Sequence, residues 1–306
     1  MSGRRPSIVL GPVYYLWNGD EWRDFHFRIA DEAPVDAVTI GEAVCSKRLH
    51  FIEPHLDAVV DRLVRAGKEV RLASLAAVTL ERESRLTRRL AEGATLPVEA
   101  NDLSALGLVS GRPHVIGPLV NCYNAATARL LAARGAIAIC LPPELPFAAI
   151  APLLREAPEV RFELFAFGRV PLAISARCAH ARSRGLVKDN CRFVCGEDPD
   201  GLLVETLDDQ AFLALNGVQT LSWTCHVLVE ELAAAIGAGI AAVRLSPQRC
   251  DMVAVARAYD DLLAGRADPA ETLARLRALY PEVPFANGFL HGEPGARWID
   301  RPLPAA

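Results

Sequence analysis

Three things are missing from this chain of 306 residues. It lacks a strong charge of either sign, with a net charge of −4 and an isoelectric point near 6.0. Nothing in that balance draws it towards nucleic acid or an anionic membrane surface. It also lacks an unbroken apolar run of the roughly 20 residues that a spanning helix needs. The stretch from Leu232 to Leu245 is among the longest apolar runs, yet glycines interrupt it and it contains Arg244. Finally, it carries no internal repeat and no low-complexity tract.

The N-terminus has two arginines, Arg4 and Arg5, before the apolar stretch Ile8 to Leu16. Gly11-Pro12 breaks that stretch, which then runs into Trp17-Asn-Gly-Asp-Glu21, so the pattern is not that of a signal peptide. A cytoplasmic protein without a transmembrane segment is therefore expected. The eight cysteines are Cys45, Cys122, Cys140, Cys178, Cys191, Cys195, Cys225 and Cys250. Without an export signal, metal ligands or buried thiols are expected of them rather than a disulfide framework. An isolated cysteine is usually just a small buried hydrophobe.

What is present is an alternation of short β-branched runs with longer helical patterns, the signature of a parallel sheet covered by helices. Strands are predicted at Ser7–Val13, Asp36–Ile40, Glu69–Ser74, Leu96–Glu99, His114–Leu119, Ala136–Leu141, Arg161–Phe167 and Ala242–Ser246. Eight such strands, nearly continuously apolar and so buried on both faces, predict a closed TIM-like (β/α) barrel. Apolar residues three and four apart predict helices at Glu21–Glu32, Glu53–Ala66, Ala77–Ala91, Ala125–Ala133 and Glu144–Arg155. Gly67, Gly93 and Gly135 stand where left-handed caps would end helices. Two further helices are predicted at Cys225–Ile236 and Asp251–Leu263, before a tail rich in proline and glycine.

The chain is read as one barrel domain over residues 1–306, with an insertion at about 177–222 after the seventh strand. Within it, Arg177 to Gly201 is charged, cysteine-bearing and without apolar periodicity. Phe212–Leu215 and Val218–Ser222 then predict a hairpin around Asn216-Gly217.

The chemistry concentrates in that insertion. Cys178-x12-Cys191-x3-Cys195 places three thiols in one loop-rich stretch, where the backbone can bend to converge on a metal. Cys45 follows a predicted strand and would project from the C-terminal mouth of the barrel. Four thiolates suit either a tetrahedral zinc ion or a cubane iron–sulfur cluster, and spacing alone does not separate the two. A C-x3-C pair with a remote fourth ligand is less zinc-like than two C-x2-C knuckles. Lys47, Arg48, Arg177, Arg182, Arg184, Lys188 and Arg192 flank the four cysteines, and such cations would stabilise a net-anionic cluster. The plainer reading of those cations is a solvated surface loop. Cys122 and Cys140 would face the barrel mouth as core thiols or cavity lining, while Cys225-His226 and Cys250 are reserve ligands only.

Several stretches also carry a resemblance: Leu10-Gly-Pro-Val-Tyr-Tyr15, Ile40-Gly-Glu-Ala-Val-Cys45-Ser-Lys-Arg48, Val120-Asn-Cys-Tyr-Asn-Ala125, Ser175-Ala-Arg-Cys178, Leu215-Asn-Gly-Val-Gln-Thr220 and Val243-Arg-Leu-Ser-Pro-Gln248. Together they resemble the UbiV branch of the collagenase-like peptidase U superfamily, from the first predicted strand to the last. The resemblance implies a [4Fe-4S] cluster held by Cys45, Cys178, Cys191 and Cys195. It further implies oxygen-independent hydroxylation in ubiquinone biosynthesis, with a UbiU-like homologue as heterodimer partner and prephenate as oxygen donor. A prenylated phenol precursor and a lipid-carrier protein of the pathway would be the other partners. The sequence departs from that pattern in its arginine-containing N-terminal extension, in Cys225-His226 and in Cys250, none of which touches the four cysteines.

Two rival functions follow from the same residues. The superfamily name suggests a protease, with Cys122 or Ser246 as nucleophile and His114 or His226 as base. A non-catalytic scaffold, its metal stapling the insertion to the barrel, is the other.

Overall fold

The computed structural model describes residues 5–303. Most of the N-terminal extension, and the outermost residues of the expected single domain, lie outside that range. In chain order the strands are β1 (Ser7–Leu10), β2 (Ala37–Ile40), β3 (Glu69–Ala73), β4 (Val98–Ala100), β5 (His114–Ile116), β6 (Ala136–Cys140), β7 (Phe162–Ile174), β8 (Leu202–Glu205), β9 (Ala211–Asn216), β10 (Gln219–Val227), β11 (Ala242–Leu245) and β12 (Phe285–Ala286). β1 to β7 pair in sequence, all parallel, and β11 closes the circle by pairing in parallel with both β7 and β1. This closed eight-stranded parallel barrel is made of the eight segments that the sequence predicts as strands.

Alternation along each strand gives the barrel two buried faces. Ile8, Leu10, Val38, Ile40, Val70 and Val98 belong to the large apolar core, whereas Val9, Ala37 and Ala242 form a separate small cluster. The near-continuous apolar strands nonetheless bury charge. Both Arg244 Nη atoms donate to Glu99 at 2.8 Å, Arg71 Nη1 donates to Glu163 at 2.5 Å, and Arg244 also pairs with Glu163 at 3.4 Å. Thr39 Oγ1 donates to Glu99 at 3.0 Å. All five side chains are buried.

Several helices differ from expectation. The segment expected at Ala77–Ala91 is helical over Glu81–Gly93. Gly93 is its last residue and the chain leaves through an extended Ala94, so no left-handed cap is needed there, whereas Gly67 and Gly135 do have positive φ. Cys225-His226 is strand, not helix: the β-branched run Thr224 to Val229 continues β10 against β7, and the helix begins only at Leu232. A helix at Leu103–Val109, capped by Asp102, and one at Pro269–Leu279, capped by Asp268 with proline in its first turn, join the ring.

β7 is the hinge between barrel and insertion. Its first half pairs with β6 and β11 in the barrel wall. Its second half runs on past the mouth and pairs antiparallel with β10, from Phe167↔Val227 to Ile174↔Gln219. β10 in turn pairs with β9 around the Asn216-Gly217 turn, and β9 with β8. The cysteine-bearing segment is thus held on a sheet continuous with the barrel. Among the described residues no helix is long and apolar enough to cross a membrane.

Candidate metal centre

Cys45 stands on the loop after β2. Glu42 folds that loop by turning its carboxylate back to accept the N–H groups of Val44 at 2.7 Å and Cys45 at 2.9 Å. A short helical turn, Ser46–Arg48, follows and is closed by Arg48 N donating to Cys45 O at 2.9 Å. Cys178 precedes the short helix Ala179–Ser183, and its Sγ accepts the Ala181 N–H at 3.3 Å. Cys191 and Cys195 flank two consecutive residues with left-handed φ, Arg192 at 50° and Phe193 at 55°. Neither is glycine, so the chain carries local strain to make this bend.

The four cysteines line one small cavity of about 20 Å³. All four are free thiols. Cys178 and Cys195 are each only 7% exposed. Among the described residues, no three His, Cys, Asp or Glu side chains are gathered tightly enough to hold a single metal ion.

Two residues tie the remote pieces together. Asn216 is fully buried; its Nδ2 donates to Cys195 O at 2.9 Å and to Asp198 O at 2.8 Å. Its Oδ1 accepts from Leu16 N at 3.1 Å and from Arg48 Nη2 at 2.7 Å. Lys47 Nζ donates to the carbonyls of Lys188 at 2.8 Å and Asp189 at 2.9 Å, binding the Cys45 loop to the Cys191 loop. Gly217 is required beside Arg48, since it has φ +70° and a Cβ there would sit 2.3 Å from Arg48 Nη2. In the sequence Asn216 signals only a turn; its contact with Arg48 spans the barrel mouth and leaves no local pattern.

Arg48 is 1% exposed, donates to Tyr14 O at 3.0 Å and to Asn216, and leaves its Nε buried without a partner. No carboxylate lies within ion-pairing distance of it among the described residues. Burial pushes the thiols of Cys45, Cys178 and Cys195 up, while Arg48 draws those of Cys45 and Cys195 back. The buried Glu42 carboxylate is the main charge opposite Arg48, beyond direct pairing distance, and buried thiols beside such a cation are a donor set suited to giving up protons to a metal group.

The other cysteines stand apart from this cavity. Cys140 is inside the barrel, and burial raises its thiol strongly. Cys225 is enclosed in β10, and Cys250 lies against Met252 with 3.8 Å between sulfurs.

The protease pairs do not assemble. Cys122 follows the C-terminal end of β5, whereas His114 begins that strand and faces Arg112 O at 2.7 Å. Burial pushes the Cys122 thiol up to about 11, away from a reactive thiolate. Ser246 Oγ has no hydrogen-bond partner, so no base is in contact with it, and burial holds the His226 imidazole down at about 4.

With this geometry in place, comparison with known families is decisive at one level. The model of peptidase family U32 matches residues 23–300. The chain belongs to peptidase family U32. Among solved structures, this U32 chain is similar to a mutant tryptophan synthase alpha-subunit from the hyperthermophile Pyrococcus furiosus. Identity is 10%, the match covers 90% of this chain and 99% of that one, and the TM-score is 0.20, too low to carry an argument.

Proposed function

We propose that this U32 chain holds a [4Fe-4S] cluster on Cys45, Cys178, Cys191 and Cys195 and serves as the redox subunit of an oxygen-independent ring hydroxylase in ubiquinone biosynthesis. The observation that carries the reading is four free thiols lining one cavity beside the buried Arg48 guanidinium. A lone zinc ion needs four thiolates at about 2.3 Å from one centre. A cubane needs a wider ring and a dry, cationic surrounding, because four thiolates leave it net anionic.

When bound, the cluster supplies one-electron transfer. The chain's residues hold and insulate it. Glu42 and the Ala181 N–H set the approach of Cys45 and Cys178, Asn216 fixes the backbone at Cys195, and Arg48 faces the thiolates with its charge. Phe193, packed edge-on against Phe51 at 5.0 Å between centroids, and Val194 close the cavity to water.

The resemblance to UbiV proteins supplies the rest: a heterodimer with a UbiU-like homologue, a prenylated phenol as substrate, and prephenate as oxygen donor. The test is anaerobic purification. Broad absorption near ~400 nm with about four iron and about four sulfide per chain is expected, whereas a colourless chain with about one zinc overturns the cluster. For the pathway, hydroxylated quinone intermediates from cells grown without oxygen should disappear when the chain is replaced by a folded, partner-binding, iron-free variant. Equal product in both would leave the cluster a structural staple.

A further inference from the structure

A second recess opens beside the four-cysteine cavity. It holds about 440 Å³ and is lined by Cys178 and Lys188, which also line the cysteine cavity, and by Arg177, Arg182, Leu80 and Val187. Asp189 is its only carboxylate. One proposed ligand is thus shared between a closed chamber and an open cleft.

The rim is cationic in a chain whose total charge is negative. From Arg177 to Arg192 the sequence has Arg177, Arg182, Arg184, Lys188 and Arg192 against Asp189 alone. Arg184 is matched by Asp198 at 3.4 Å and Lys188 stands 3.9 Å from Glu83. Arg177, Arg182 and Arg192 are exposed and, among the described residues, face no carboxylate within ion-pairing distance. Two large apolar side chains line the same cleft in the open, Val187 at 63% exposure and Leu80 at 41%. Exposed guanidinium groups recognise a small dianion poorly, because water screens them. Charge surrounding a small apolar patch is instead the make-up of a transient protein interface, with steering by the rim and contact at the centre.

We infer that this cleft is the docking surface of a small acidic electron-transfer protein, which seats carboxylates on Arg177 and Arg182 and delivers its electron at Cys178. The inference rests on the cluster reading. One electron leaves the reduced partner and is taken up at the four-cysteine site; no bond is made or broken and no proton has to move. The carbonyl bonds of Lys47 to Lys188 and Asp189 brace the cleft against the Cys45 loop, so docking meets a preformed surface.

The experiment uses the full chain, with any subunit that co-purifies, loaded anaerobically, and an acidic plant-type ferredoxin as probe. Iron and sulfide are counted first, so that an unloaded chain counts against the cluster and not against the cleft. Binding and the rate of cluster reduction by the ferredoxin are then compared with an Arg177→Glu/Arg182→Glu variant. Expected are a fall of about ten-fold or more in both, a weaker salt dependence in the variant, and equal reduction of the two proteins by dithionite. Arg182→Gln should fall between them. A loaded chain whose ferredoxin binding ignores the charge reversal overturns the inference. So does binding of a small dianion such as malonate that the variant abolishes while the ferredoxin fails to bind.

Discussion

Two buried charged regions lie within one fold, and they are built on opposite plans. Inside the barrel, Arg71 and Arg244 meet Glu99 and Glu163 in ion pairs of 2.5 to 3.4 Å, a group that sums to zero and leaves no cation unmatched. At the mouth, Arg48 is as deeply buried but faces backbone, an amide and thiols, while the nearby Glu42 spends its carboxylate on its own loop. The first region is complete as the chain folds. The second meets its main opposite charge, the buried Glu42, only beyond direct pairing distance, and keeps four thiols beside it. Direct ion pairing thus separates the barrel network from the arginine at the cysteine cavity.

The sharpest way to break that contrast is to remove ligands. Cys191→Ala or Cys195→Ala should lower iron from about four per chain to below about one, while Cys250→Ala leaves it unchanged. Full iron in either of the first two refutes the ligand set.

Next in size is the barrel network. Glu99→Gln leaves Arg244 with only its longer 3.4 Å contact to Glu163 in a dry interior and should cost about 3–5 kcal/mol in denaturant unfolding. Burial pushes the Glu99 carboxyl up, but Arg244, Arg71 and Thr39 outweigh it and hold the group below its ordinary value. A carboxyl lowered by folding stabilises the native state above its unfolded pKa of about 4.3, and that contribution is lost as pH falls through the lower native value. The parent should therefore lose stability below about pH 4, and the variant should show a flatter acid limb. Parallel acid limbs would mean that the network carries little of the stability.

The smallest effect is the most diagnostic. Arg48→Met should cost the metal-free chain about 1–3 kcal/mol, because it takes a donor from Tyr14 O and Asn216 Oδ1 and the opposite charge from the buried Glu42. In the loaded chain the same change should speed loss of the cluster to a chelator. A large loss of stability without metal would place Arg48 with the barrel network instead.

The barrel was readable because parallel strands buried on both faces leave continuous β-branched runs, and eight such runs appear. Its interior charge was not, because Arg71, Glu99, Glu163 and Arg244 each sit singly among apolar neighbours and are matched only across the barrel. The cysteine spacing pointed to four candidate ligands, and all four line one cavity. Asn216 and Gly217 read as an ordinary turn, since nothing local reports that the turn buttresses Arg48. The Cys225 segment misled for a related reason: a short apolar run beside an alanine-rich helix has no period of its own, and pairing with β7 decides it as strand.

The wide separation of Cys45 from the other three cysteines has a consequence for biogenesis. Cys45 emerges from the ribosome early, whereas Cys178, Cys191 and Cys195 follow only after the first seven barrel strands have been made. Closing the wall also needs β11, which comes later still. On the cluster proposal, cofactor delivery would be a late event in the life of the chain, and a product stalled before Cys195 would lack the full receptacle. Metal loading would then report a finished fold.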